Sequence, residues 1–184
     1  MSAFQVWLVH TLNGVEPFAS FMRTAWGWPA MESLHFIGLT LLIGTIGVFD
    51  LRLLGVGARI PIAALHRLIP LGLVGYGVNV TTGAMFLMTS PDQYIYNPAF
   101  HLKMLFMGAA GLNASAFYVT AYRGATAPGA PDEAPRVAKI IALASLCLWI
   151  GVIVAGRLIT FYRPWPCEGD GPGFLAQCLP NYYR

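Results

Sequence analysis

Histidine is the side chain best suited to bind a metal or carry a proton near neutral pH. This sequence holds four: His10, His35, His66 and His101. His35 and His101 fall near the starts of two long apolar stretches, 33–49 and 102–121, with one further apolar stretch between them. The first and third of successive membrane spans run in the same direction, so the two imidazoles share a depth. One imidazole on each of two facing helices supplies the two axial ligands of a b-type haem. A flat porphyrin needs small residues beside it, and Gly38 and Gly108 follow the two histidines on the same helical faces. Lys103, Arg157 and Arg163 fall at that same end and would neutralise the propionates. The pattern predicts haem b held by His35 and His101, with His66 at the opposite side and uninvolved. The plainer reading is two interfacial histidines that cap helix ends or hydrogen-bond to Glu32. Copper is an alternative: His10, His35 and His101 with Met104 offer imidazole and thioether ligands, although membrane helices also use methionine as filler.

Other polar residues inside apolar runs have their own readings. Gly72, Gly75, Asn79 and Gly83 share one face of the second stretch. They predict close helix packing with Asn79 bonded across it to Asn113, or else a groove for a quinone or lipid tail. Intramembrane charges are functional candidates by default, and Arg157 is the clearest: it would hold a propionate, a lipid phosphate or Glu32. Asp50 and Arg52 read as anchors at the end of the first span. No nucleotide loop, Ser-His-Asp set or zinc-protease helix is visible. Gly75-Tyr76-Gly77 lies within a helix and does not form a channel filter.

The elements that must position these residues are four apolar stretches, 33–49, 68–88, 102–121 and 140–161. A spanning helix needs about 20 mostly apolar residues, with about 17 the minimum. Glycine recurs inside them, yet a bilayer forces the backbone to satisfy its own hydrogen bonds, so helix survives. The linkers carry turn signals: Arg59 and Pro61, then Ser90-Pro91-Asp92 and Asn97-Pro98, then Pro128, Gly129, Pro131 and Pro135. Phe4, Leu8, Leu12, Val15, Phe18 and Met22 recur every three or four residues, as in a helix lying in the membrane interface. Asn13-Gly14 and Pro17 can interrupt it. Trp26 and Trp28 suit an aromatic belt. The fold class expected is therefore all-α: an integral membrane four-helix bundle with an N-terminal interfacial amphipathic helix. Residues 1–30 form the interfacial segment, 31–163 the bundle and 164–184 an irregular tail.

Arg52, Arg59, Arg67, Arg123, Arg136 and Lys139 gather on one side, which the positive-inside rule puts in the cytoplasm. Both termini are then periplasmic in a bacterial inner membrane. A Cys167–Cys178 disulfide in the tail fits that oxidising side, with Cys147 free. No basic residue precedes the first apolar residues, so no cleavable signal peptide is expected.

Composition excludes other classes. The chain of 184 residues is 57% hydrophobic and only 10% charged, against about 25% charged in soluble domains. Mean hydropathy is +0.61. The net charge of +3 is scattered, without the clustered basic face of a nucleic-acid binder.

Several motifs carry a resemblance: Leu34-His35-Phe36-Ile37-Gly38, Phe49-Asp50-Leu51-Arg52-Leu53-Leu54-Gly55, Leu68-Ile69-Pro70, Asn97-Pro98-Ala99-Phe100 with Lys103, and Gly111-Leu112-Asn113-Ala114. Over about residues 31–122 the chain resembles a family of small four-helix bacterial membrane proteins of unknown function. It is distantly similar to the membrane domain of copper-resistance proteins. The resemblance implies the topology and no activity. Three functions remain in view. The first is an electron-transfer subunit that binds one haem b and exchanges electrons with quinone or a periplasmic protein. The second is a structural or assembly subunit of a larger membrane complex. The third is copper handling.

Overall fold

The structure, a computed structural model, describes residues 3–12, 15, 18–126 and 133–162. Arg163, the Cys167–Cys178 pair and the tail 164–184 lie outside the described residues. So does 127–132 of the Pro-rich linker.

Every regular element among the described residues is helical. In order they are α1 (Ala3–Leu12), α2 (Phe18–Met22), α3 (Gly27–Leu53), α4 (Ile62–His66), α5 (Ile69–Thr89), α6 (Pro91–Ile95), α7 (Pro98–Thr120), α8 (Tyr122–Thr126) and α9 (Arg136–Phe161). Four are long and apolar enough to cross a membrane: α3, α5 (with α4 leading into it), α7 and α9. Prolines mark the starts as expected from their missing N–H: Pro91 opens α6, Pro98 opens α7, and Pro70 falls in the first turn of α5.

Helix α3 is longer than the apolar run that announced it. It continues through Asp50 and Arg52 because the fold buries both side chains. The loop behind it turns on Gly55 and Gly57, whose φ values of 105° and 67° suit glycine.

The chain divides into two compact units, and each of the four long helices contributes to both. One unit comprises Met1–His35, Val80–Met104 and Val152–Arg184. Here α1 packs on α6: Val9 is wholly buried with Ile95 and Tyr96, flanked by Leu8, Leu12 and Leu87. Gln5 adds a long hydrogen bond from Nε2 to the Ile95 carbonyl, 3.5 Å. Phe4 and Trp7 stack on each other on the exposed side. The expected apolar stripe is thus split: Leu8 and Leu12 pack inward and Met22 is buried, while Phe4 and Phe18 are exposed. Asn97 precedes α7 as its cap. Its Oδ1 accepts from the Ala99 N–H at 2.9 Å, and its Nδ2 donates to the Ile159 carbonyl of α9 at 3.0 Å.

The other unit comprises Phe36–Asn79 and Leu105–Gly151. Its core sets Phe49, Leu53, Ile62 and Phe117 against Ala138 and Ala142, one turn apart on α9. Small residues there let helices come close. Gly38, Gly72 and Gly75 do the same between α3 and α5, as the shared glycine face implied. A Cβ on Gly75 would lie 2.6 Å from the Gly38 carbonyl oxygen. Asn113 is not the partner of Asn79. Its Nδ2 donates to the Ile141 carbonyl of α9 at 3.0 Å, whereas the Asn79 amide donates to the Gly75 carbonyl at 3.2 Å.

Candidate functional site

In the unit that holds α1, three helices bring polar groups together and a fourth, α9, makes room for them. His35 projects from α3 towards α5, where its Nδ1 and the Thr82 hydroxyl share a hydrogen bond of 2.7 Å. Thr82 is 1% exposed. The imidazole meets the Phe86 ring edge-on, 5.8 Å between centroids, and Trp28 packs on Phe86 at 4.9 Å. Lys103 reaches from α7 across Gly156 of α9. A Cβ on Gly156 would lie 3.7 Å from both its Cδ and its Nζ, and the half-buried ammonium is close enough to act electrostatically on His35. The small residue at 156 is what gives the lysine stem its place. No carboxylate of the described residues pairs with Lys103. The set can donate hydrogen bonds and positive charge to an oxygen-bearing group.

The remaining sequence candidates take different positions. His101 is exposed, with its ring beside that of its neighbour Phe100. Arg157 is also exposed and lies over the Phe161 ring, 5.0 Å from its centroid, a contact worth about 0.5–1 kcal/mol at such a site. It thus packs on its own helix. Gly38 and Gly108 belong to the other unit. Gly38 is buried against α5: an added Cβ would meet Asn79 Nδ2 at 2.7 Å and the Gly75 oxygen and Val78 Cγ1 at 2.9 Å. That face of α3 is packed against α5. Gly108 is exposed with open space beside it. Among the candidates described, the structure therefore brings together His35 and Lys103. His10, His35 and His101 are not gathered into a metal-holding group, and no cluster of three such ligands occurs among the described residues.

Two charged residues are placed otherwise than their sequence position suggested. Asp50 is 5% exposed, bonds to the Ser145 side chain of α9 and has an Oδ2 without a hydrogen-bond partner. Arg52 is 2% exposed and clamps the following loop, with Nε donating to the Ile60 carbonyl at 2.6 Å and Nη2 to that of Ala58 at 2.9 Å. Reading them as end anchors missed this burial. The one available signal was that α3 had no stop before Asp50. His66, in the same unit, shares a 3.2 Å hydrogen bond with the Tyr118 hydroxyl and packs on Phe49 and Tyr122.

No curated protein and no solved structure matches the chain. The profile of a family described as of unknown function, DUF6644, matches residues 22–162, a stretch that takes in all four membrane-length helices. The chain belongs to that family.

Proposed function

We propose that the protein is a membrane electron-transfer subunit, and that Lys103, His35 and Thr82 receive the oxygen-bearing head of its lipophilic cofactor. The observation that carries this reading is the half-buried Lys103 ammonium, set inside helical packing without a carboxylate of the described residues beside it. A charge in such a place marks a functional site. The group it would meet carries anionic or lone-pair oxygens on an apolar body. A quinone head and the propionate edge of haem b both answer that description. The role assigned to the set is to hold and orient that head.

The purified protein tests it. A Soret band with a reduced α-band identifies haem b, and solvent extraction followed by chromatography identifies quinone at near one per chain. Lys103→Met keeps the stem and removes the charge, and should strip whichever occupant is found. A wild-type preparation containing neither, or an occupant retained equally by Lys103→Met, refutes the proposal.

The Arg-rich loops support a bacterial inner membrane location with both termini periplasmic. A cysteine introduced near Gly129 should react with an impermeant reagent only after the cells are opened. Labelling of intact cells there reverses the orientation. The alternative, a structural or assembly subunit, draws on α7, where Gly108 and Gly111 are exposed with open space beside them. Recovery without a cofactor, in a fixed ratio with another membrane protein, would favour it.

A further inference from the structure

The least expected group in the membrane helices is Asp50. It sits one turn before the end of α3, 5% exposed, beside Phe49 and Leu53 of the apolar core. One carboxyl oxygen faces the Ser145 hydroxyl, and Oδ2 meets no hydrogen-bond partner. The basic side chains of this unit are engaged or placed elsewhere. Arg52 is turned to the carbonyls of Ala58 and Ile60. Lys139 pairs with Glu133. Arg59, Arg67, Arg123 and Arg136 are exposed. Among the described residues no cation neutralises Asp50.

An isolated carboxylate in an apolar interior is among the costliest groups a fold can bury. Ser145 supplies one hydroxyl, where stable buried carboxylates accept several bonds and face a cation. A small cation must therefore supply the missing charge, and the geometry favours the smallest. With a proton on the oxygen that faces Ser145, the carboxyl donates to the serine Oγ. Oδ2 is then a neutral carbonyl oxygen, whose lack of a partner is far more tolerable than that of an anion. A multivalent metal ion would call for further charged or imidazole ligands around Oδ2, and no group of three or more His, Cys, Asp or Glu side chains that could hold one occurs among the described residues.

We propose that Asp50 and Ser145 form a proton-binding site within the membrane helices, with the Asp50 carboxyl carried as the neutral acid. Uptake joins one proton to the carboxylate oxygen that faces Ser145. Release breaks that O–H bond and returns the proton to water, leaving the carboxylate. No other atom changes hands. The site shares no residue with the Lys103 set and stands whether or not that reading holds.

Infrared spectroscopy of the full-length protein reads the proposal directly. Wild type should show a neutral carboxyl C=O band that shifts in D₂O, and Asp50→Asn should lose it. Asparagine keeps the shape and a bond to Ser145, so the variant should fold. Should it fail to fold, Ser145→Ala preserves the acid and removes its partner, and should shift the same band. Dicyclohexylcarbodiimide gives a second readout, because its addition to a carboxyl consumes the acid proton and forms an O-acylisourea. Peptide mapping should find the label at Asp50 in wild type. A wild-type spectrum without a neutral carboxyl band, or a band unchanged by both Asp50→Asn and Ser145→Ala, overturns the proposal. So does labelling at Asp50 that sodium ions suppress, because that outcome assigns the site to a metal cation.

Discussion

Adding one carbon to Gly38 tests the close approach of α3 and α5. In Gly38→Ala the new methyl would sit 2.7 Å from Asn79 Nδ2, 2.9 Å from the Gly75 oxygen and 2.9 Å from Val78 Cγ1. The Gly75 oxygen is backbone and cannot turn aside, so the helices must separate. Overpacking of this kind costs about 1–3 kcal/mol. Gly44→Ala, on the same helix, is the control: its Cβ meets nothing within 4 Å, and alanine gains up to about 1 kcal/mol of helix propensity over glycine. Both variants share that gain, so the difference between them isolates the packing term. At 1–3 kcal/mol it corresponds to roughly a 5- to 150-fold change in the unfolding equilibrium. Reversible unfolding in mixed detergent micelles, followed by circular dichroism, would measure it. The double variant Gly38→Ala/Gly75→Ala should cost less than the sum of its parts, because one methyl already separates the helices that the second would push apart. Equal stability of Gly38→Ala and Gly44→Ala refutes the reasoning, since α3 and α5 would then not touch through backbone.

Arg52→Ala removes two charge-assisted bonds to the loop carbonyls of Ile60 and Ala58, each worth about 1.5–3 kcal/mol. Limited proteolysis should cut between Gly55 and Ile60 faster than in wild type, and Arg52→Lys should restore little because it lacks the guanidinium fork. Asn97→Ala loses the cap of α7 and the bond to Ile159, a loss of about 1–2 kcal/mol from the cap alone; Asn97→Asp should keep the cap and still fall short of wild type in thermal unfolding. The hydrogen bond from Lys139, and next its charge, hold the exposed Glu133 carboxyl below the usual glutamate range. A carboxyl depressed on folding stabilises above its unfolded value, and that contribution fades as pH falls through the lower folded value. NMR titration should therefore place the Glu133 midpoint lower in wild type than in Lys139→Ala.

The long apolar helices were legible because their signal is local: a run of about twenty apolar residues needs no tertiary information. The glycine face of α5 was equally open, since Gly72, Gly75 and Asn79 recur with helical period and meet a packed neighbour. What periodicity could not supply was rotation about the helix axis. His35 and His101 look alike in sequence, yet the structure turns His35 to Thr82 and leaves His101 exposed. Depth alone pairs Asn113 with Asn79, but its amide meets the Ile141 carbonyl. Asp50 reads as the end of a span until Ser145, far along the chain, is placed beside it.

The docking of α1 on α6 has a consequence for biosynthesis. Gln5 and Ile95 stand 90 residues apart in the chain, which at about 5–20 residues per second means roughly 5–20 s between the emergence of one and the other. During that interval α1 has left the ribosome while its receptor does not yet exist, and Val9, wholly buried in the finished protein, has nothing to cover it. The exposed Phe4 and Trp7 are side chains that a lipid surface would hold in the meantime. Helix α1 is thus made well before the element that seats it, so a nascent chain arrested before α6 should keep α1 open to protease when lipid is replaced by detergent, whereas the completed chain should protect it in both.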